Sequence, residues 1–185
     1  MKVRLGFAGM ISTANILDDL NFAIENGFNC FEISLDWPQN FELSSSTIKT
    51  IKNLSRDNDI FLTIHTPWYL PTASILPDLR RGALKVVEKG MKLASALGSD
   101  RIVVHHGFRE LPKKYVEKNY EALKEFLKQV VSLGKKYDVM VGLENSNKHS
   151  LFLLHQPEKM IEILNEVTGL KAVFDAGHAL SLIHI

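Results

Sequence analysis

The fold is decided by the stretch Phe61-Leu62-Thr63-Ile64-His65, an apolar run that ends on a side chain able to bind a divalent metal. The pattern recurs three times: Arg101-Ile102-Val103-Val104 runs into His105, Val139-Met140-Val141-Gly142-Leu143 into Glu144, and Ala172-Val173-Phe174 into Asp175, with His178 shortly after. Helical stretches separate these runs. In a parallel barrel the C-terminal ends of all strands open onto one face, so the strand-end side chains would converge there.

Strand and helix patterns alternate along the chain, which predicts βαβ units and a parallel sheet. The strands are nearly continuous apolar runs, as expected where both faces of a sheet are covered. Two architectures fit, an open doubly wound sheet and a closed (β/α)8 TIM barrel. The segment Gly6-Phe7-Ala8-Gly9-Met10 lacks the third glycine of a dinucleotide-binding fingerprint. The metal-type residues also come from consecutive strands, and both points favour the α/β barrel.

The barrel is incomplete in this chain. About six strands and five helices can be identified, whereas a closed barrel has eight of each over about 250 residues. The last residues, Leu180-Ser181-Leu182-Ile183-His184-Ile185, match one translation frame of a transposase adapter used in shotgun sequencing libraries. We therefore interpret residues 1–179 as a partial barrel and residues 180–185 as adapter read-through, a hypothesis that the nucleotide sequence at the 3′ end would decide.

Composition excludes several classes of protein. With 185 residues, of which 45% are hydrophobic and 23% charged, the chain has the make-up of one ordinary soluble domain. The formal net charge of +1 gives no overall attraction to nucleic acid or anionic membrane. Cys30 is the only cysteine, so no intrachain disulfide can form. With neither a signal peptide nor a membrane-spanning run, these features predict a cytoplasmic protein.

Metal binding explains the strand-end residues better than the alternatives do. Imidazole suits Zn, Mn or Co, and carboxylates suit harder cations or bridge two ions. Glu144 follows five apolar residues, where an unpaired carboxylate would carry a large desolvation cost. A metal would remove that cost, and so would a salt bridge to a Lys or Arg. Asp175 and His178 flank Ala176-Gly177, a small turn that would let both side chains face the barrel mouth.

Four further positions are candidates for substrate contacts. Trp68 lies in a Pro-rich loop and either forms an aromatic wall for a ring-shaped substrate or packs the loop. His106 either faces the mouth or packs behind its neighbour. Asn145 and Asn147 either orient Glu144 or bind substrate hydroxyls, and they equally suit a turn at the end of a strand.

Four motifs resemble those of the xylose-isomerase-like TIM-barrel superfamily: His65-Thr66-Pro67-Trp68, His105-His106-Gly107, Leu143-Glu144-Asn145 and Asp175-Ala176-Gly177-His178-Ala179. This superfamily joins sugar and sugar-phosphate isomerases and epimerases to the zinc-dependent abasic-site endonucleases of the endonuclease IV family. The resemblance covers the chain up to Ala179 and stops short of the C-terminal part of such a domain.

The resemblance to isomerases and epimerases implies one divalent ion (Mn, Mg, Co or Zn), held by Glu144, Asp175 and later ligands. Glu144 would also exchange a proton at the carbon beside the substrate carbonyl, and His178 would contact a substrate oxygen. The partner would be a small-molecule sugar or sugar phosphate.

The resemblance to endonucleases implies zinc and a DNA partner. His65, His105 and Glu144 would hold one zinc, Glu144 would bridge to a second that Asp175 helps to hold, and a third would bind the remaining ligand, His178. Together the ions would activate water for phosphodiester cleavage. The chain departs from this pattern at His106, where the endonucleases usually have Pro.

We favour the isomerase or epimerase interpretation. The loop from Asp36 to Glu42 has two acids and no Lys or Arg, whereas a duplex-binding face normally carries cations. The Asp-x-Gly-His-Ala motif also looks more like the isomerase–epimerase branch. A non-catalytic metal-binding module is a third interpretation, which predicts metal binding without turnover of any sugar. We expect no membrane partner and leave open whether a full-length protein forms a homo-oligomer.

Overall fold

The computed structural model describes residues 3–9 and 15–181 and contains one sheet of six parallel strands. The strands are β1 (Gly6–Ala8), β2 (Cys30–Ser34), β3 (Phe61–His65), β4 (Arg101–Val104), β5 (Met140–Glu144) and β6 (Lys171–Val173). Their order in the sheet is their order in the sequence, with β1 and β6 at the two edges. A doubly wound sheet reverses its strand order at a switch point. The consecutive order therefore confirms the α/β barrel topology expected from the sequence.

Six α-helices accompany these strands in the described part of the chain: α1 (Ile16–Glu25), α2 (Ser45–Asp57), α3 (Pro77–Leu97), α4 (Glu117–Tyr137), α5 (Pro157–Glu166) and α6 (Ala176–Leu180). Short 3₁₀ turns at Pro38–Phe41 and Lys113–Tyr115 precede α2 and α4. Local signals set several of the ends. The Ser44 side chain caps α2, Pro157 begins α5, and Gly98 ends α3 in the left-handed region. The expected five helices are one too few, because α6 was not anticipated.

The side chains of each strand alternate between two faces of the sheet. In β3, Leu62 and Ile64 are buried in the core, whereas Phe61, Thr63 and His65 lie on the opposite face and are only partly buried. This period of two is inherent to extended backbone. His65, the last residue of β3, therefore lies on the face opposite the core, at the C-terminal edge of the sheet.

The hydrophobic core lies between the sheet and the helices. Strands and helices both supply its largest fully buried side chains, which include Phe31, Ile33, Ile64, Ile102 and Leu143 from strands and Leu20, Ile51, Met91, Leu123, Phe126 and Leu127 from helices. None of the helices in the described ranges is long and apolar enough to cross a membrane. Residues 182–185, most of the segment interpreted as adapter read-through, lie outside the described residues.

Two glycines allow close approach between elements. A Cβ at Gly134 in α4 would lie 2.5 Å from the carbonyl oxygen of Val139, the residue just before β5. A Cβ at Gly142 in β5 would lie 2.5 Å from Val173 Cγ2 in β6. Real side chains do not tolerate such contacts, so α4 and β6 sit where they do because these positions lack a side chain.

We expect Gly134→Ala to lower the free energy of unfolding by about 1–3 kcal/mol, because the new methyl group collides with backbone that cannot move away freely. Gly82→Ala in α3 is a matched control. It meets no atom within 4 Å and should raise stability by up to about 1 kcal/mol through helix propensity. Urea unfolding of both variants measures the difference, and equal effects would contradict the close-approach argument.

Candidate metal centre and active site

The C-terminal edge of the sheet brings the predicted metal ligands together. They form two groups of three, His65–His105–Glu144 and Glu144–Asp175–His178. Within each group, one ligand atom from every residue lies within 4.8 Å of the others, and Glu144 belongs to both groups. The convergence expected from the strand ends is therefore present, and Glu144 stands at its centre.

The first group combines two imidazoles and one carboxylate. His65 Nε2 and His105 Nε2 are 3.1 Å apart, with the two rings edge to face. Glu144 Oε2 lies 3.2 Å from His105 Nδ1 and 3.7 Å from His65 Nε2. Three side chains with lone pairs thus surround one small volume, as metal coordination requires.

An unpartnered carboxylate oxygen indicates that this group fits a cation. Glu144 Oε2 is buried and has no hydrogen-bond partner among the described residues. Within the described ranges, all the ion pairs of Glu144 are with histidines (His65, His105 and His178). The Lys or Arg salt bridge that the sequence left open is therefore not found there. A buried carboxylate costs several kcal/mol unless it is compensated, and a divalent ion would compensate it.

Burial and neighbouring charges shift the pKa values of the two histidines in opposite directions. Burial lowers the pKa of His105 to about 3, and the neighbouring charge of His65 adds to the effect. At His65 burial also lowers the pKa, but Glu144 and the nearby charge of Glu32 outweigh it and raise the pKa above 6.5. Neutral imidazole is the form that binds metals. His105 is therefore held in the ligand-competent form across the physiological range.

Asn145 organises the second group. Its side-chain amide donates to the Asp175 carbonyl oxygen at 3.0 Å and accepts from the Asp175 backbone N–H at 2.7 Å. His178 Nδ1 lies 2.9 Å from the Asn145 carbonyl oxygen, which can only accept. The proton is therefore on Nδ1 and the lone pair of His178 is on Nε2. The geometry supports an orienting role for Asn145, directed at Asp175 and His178 rather than at Glu144. Both the oxygen and the nitrogen of its side-chain amide are bonded to Asp175.

Asp175 is the N-cap of α6 and does not precede a turn. Its Oδ1 accepts the backbone N–H of His178 at 2.6 Å, as an N-cap does. The prediction of a small turn at Ala176-Gly177 is therefore wrong, since this cap stabilises a short helix there. His178 Nδ1 nevertheless lies 3.8 Å from Asp175 Oδ2 and 3.9 Å from Glu144 Oε1. Asp175 and His178 therefore both face the candidate site, although a short helix and not a turn follows Asp175.

The two groups open into a cavity of about 370 Å³. The eight residues predicted as ligands, catalysts or substrate contacts all line it: His65, Trp68, His105, His106, Glu144, Asn145, Asp175 and His178. Asn147, which the sequence offered beside Asn145, lines it too, together with two residues that were not predicted, Ser146 and Phe152. None of these lining residues is Lys or Arg. The side chains are in place, and their roles as ligands or catalysts remain predictions.

Aromatic rings form one side of the cavity. Trp68 is half exposed and meets Tyr69 and Phe108 edge to face, each at 5.9 Å between ring centroids. His106 is buried against Phe152 at 5.3 Å. Phe152 also contacts Phe108 at 5.7 Å, and their backbones form an antiparallel bridge. His106 thus lines the mouth, and the bridge ties the loops after β4 and β5 into one wall.

Two residues of this region were not found from the sequence. Asp36 has its Oδ2 3.8 Å from His65 Nδ1. The sequence did contain a signal for Asp36, because this residue follows the apolar run of β2 much as Asp175 follows that of β6. Phe152 lies in the long loop after β5, where no local pattern indicates which side chain turns inward.

Relatives in sequence point to one family. The family described as xylose isomerase-like TIM barrel matches residues 20–184. An uncharacterised protein of Methanocaldococcus jannaschii is 28% identical over 159 residues, which cover 84% of this chain and 54% of that protein. The chain thus spans about half the length of this relative.

Solved structures extend the comparison. A D-tagatose 3-epimerase-like protein matches with a TM-score of 0.83 and 25% identity, over 96% of this chain and 66% of that one. A protein of Thermus thermophilus, whose crystal was soaked with ZnCl₂, matches with a TM-score of 0.73 and 28% identity, over 97% of this chain and 68% of that one.

We expect acidification to destabilise the protein through His106, because burial lowers its folded pKa to about 4. Between pH 6.5 and about 4 the unfolded chain binds a proton that the folded protein does not, so the free energy of unfolding falls as the pH falls. His106→Phe keeps a ring against Phe152 and should make this fall shallower. Chemical denaturation across that pH range measures it, and parallel curves for the two proteins would refute the assignment.

Proposed function

The chain belongs to the xylose isomerase-like TIM-barrel family, and from this premise we propose that it acts as a divalent-metal-dependent sugar isomerase or epimerase. The observation that carries the proposal is the convergence of Glu144, Asp175 and His178 on one cavity of about 370 Å³, a volume suited to a small molecule. The likeness to a D-tagatose 3-epimerase-like protein supports the same class of reaction.

Glu144 and His178 are the proposed catalytic residues. The Glu144 carboxylate would take a proton from the carbon beside the substrate carbonyl and return it, as a general base positioned in a pocket does. His178 would meet a substrate oxygen through Nε2, because its Nδ1–H is already donated to the Asn145 carbonyl oxygen. Burial of Glu144 supports this role, since it keeps bulk water from competing for the carboxylate.

The residues proposed to hold the ion are Glu144 and Asp175, with His178, His65 and His105 close by. This mixture of carboxylate and imidazole donors suits Mn, Co or Zn, and the carboxylates also suit Mg. When bound, the ion would polarise the substrate carbonyl and stabilise the negative charge that develops on deprotonation.

The rest of the cavity suits a hydroxylated ring. Trp68 and Phe152 offer flat apolar surfaces for the C–H groups of a sugar. Ser146 Oγ and Asn147 Oδ1 are buried, line the same cavity and have no partner within the described part of the chain. A substrate hydroxyl would remove the cost of leaving such atoms unpaired. These two residues, with Trp68 and His106, are the proposed substrate contacts.

One observation favours a second candidate, a zinc-dependent abasic-site endonuclease. Glu144, Asp175 and His178 would be enough ligands for one ion. The group His65–His105–Glu144, which shares Glu144 with them, therefore offers a place for a second ion. Two ions on a shared carboxylate would suit phosphodiester hydrolysis. The absence of Lys and Arg among the described lining residues opposes this candidate, since phosphate contacts commonly use them.

We expect Glu144→Gln to weaken binding of Mn²⁺ and Zn²⁺ by more than about 100-fold, because losing even an outer-shell partner costs about 10- to 100-fold. Glu158→Gln, an exposed acid in the first turn of α5, is the matched control and should leave affinity unchanged. Isothermal titration calorimetry measures both. Equal affinity in the parent and Glu144→Gln would remove the basis of the proposal.

The reaction is tested by incubating the metal-loaded protein with a panel of ketoses and, separately, with an abasic DNA duplex. We expect ketose turnover that falls by about 10²–10⁴-fold in Glu144→Gln, as for loss of a general base. Cleavage of the duplex alone would favour the nuclease. Metal binding without turnover of either substrate would favour a non-catalytic metal-binding module, and both results would contradict the proposed function.

A further inference from the structure

We propose that Asp36 is a positioning residue, which accepts a hydrogen bond from His65 Nδ1–H and thereby directs the Nε2 lone pair of His65 toward an ion held with His105 and Glu144. This inference rests on the metal site of the proposed function. It adds a residue from the loop after β2 to a site whose other members come from β3 to α6.

The geometry around His65 sets which nitrogen can bind a metal. Nε2 faces the crowded side of the site, 3.1 Å from His105 Nε2 and 3.7 Å from Glu144 Oε2. A ligand nitrogen must present a lone pair. If Nε2 is the ligand atom, the proton of the neutral ring has to reside on Nδ1.

That proton needs an acceptor, because Nδ1 is buried. His65 Nδ1 has no hydrogen-bond partner among residues 3–9 and 15–181. Asp36 Oδ2 is 3.8 Å away, longer than a hydrogen bond, and its side chain is only 11% exposed. Metal-binding histidines commonly donate their other N–H to a carboxylate, which fixes the tautomer and makes the ligand more basic. Asp36 is placed to provide that carboxylate.

Asp36 is itself held in a defined orientation. Its Oδ2 accepts from the Ser34 hydroxyl at 2.8 Å, and its Oδ1 accepts from the Trp68 backbone N–H at 3.2 Å. The Tyr69 hydroxyl donates to its backbone carbonyl at 3.3 Å. The carboxylate therefore connects the loop that follows β2 to the loop that follows His65. A purely structural role in joining these loops is the alternative that the experiment must separate.

Asp36→Asn separates the two roles, because an amide oxygen can still accept from backbone while the negative charge is lost. We expect Zn²⁺ affinity to fall by about 10- to 100-fold, with the melting temperature measured without added metal unchanged. Glu42→Gln is the matched control, an exposed acid of the same loop, and should leave affinity unchanged. Competition calorimetry with a chelator gives the affinities.

A spectroscopic readout reports the hydrogen bond itself. In the zinc-loaded parent, ¹⁵N-edited NMR should show the His65 Nδ1–H as a slowly exchanging proton, and in Asp36→Asn this proton should exchange faster. If Asp36→Asn does not fold, Ser34→Ala serves instead. It removes one hydrogen bond to the carboxylate but keeps its charge, and it should weaken zinc binding by about two- to fivefold.

The outcomes distinguish this inference from the proposed function. If Glu144→Gln weakens zinc binding but Asp36→Asn binds zinc as tightly as the parent, the role of Asp36 is overturned. The same holds for Ser34→Ala where that variant replaces Asp36→Asn. Equal losses in Asp36→Asn and Glu42→Gln would also overturn it, as a general effect of charge. No loss in Glu144→Gln would overturn the metal site and this inference together.

Discussion

The constraint on which the site depends is a carboxylate buried at the end of β5. Glu144 is almost inaccessible, and one of its oxygens has no hydrogen-bond partner among the described residues. His65 at the end of β3 and His105 just after β4 form one group with it, and Asp175 and His178 form the other. Two ionised carboxylates so close to each other repel, and a cation between them would offset that repulsion. The arrangement has the form of a site whose balance comes from a bound cation.

The loops above the sheet keep these side chains in position. Gly107 adopts φ +67°, and a Cβ there would lie 2.6 Å from Thr72 Oγ1. Thr72 in turn donates to the His105 carbonyl oxygen at 3.0 Å. The chain after β4 is therefore closed tightly against the loop after β3, and His105 and His106 are presented from a turn that admits only glycine at its third position.

The parts of this structure that the sequence could predict are those with local causes. Apolar runs ending in His65, His105, Glu144 and Asp175 indicate strand ends, and parallel strands in consecutive order bring strand ends together. The converging ligands could be predicted because the period of two and the direction of the strands suffice to place them.

The remaining features depend on contacts between loops that are distant in sequence. The orienting amide of Asn145 depends on the backbone of Asp175, thirty residues away. The nearness of Asp36 to His65 depends on how two loops fold over one another. The inward turn of Phe152 follows from its bridge to Phe108. Local propensity contains no information on such contacts, so the bonds of Asn145, the approach of Asp36 to His65 and the inward turn of Phe152 emerged only from the structure.

The missing side chain at Gly142 has a consequence for the site two residues further along β5. Because nothing projects from Gly142, Val173 and the strand that bears it come close to β5. Val173 is the residue of β6 that pairs with Glu144, and it stands two positions before Asp175. A side chain at position 142 would therefore push against the residue that links the two carboxylates through the sheet. A residue that contributes no ligand atom thus keeps the space beneath the site free for the strand that leads to Asp175.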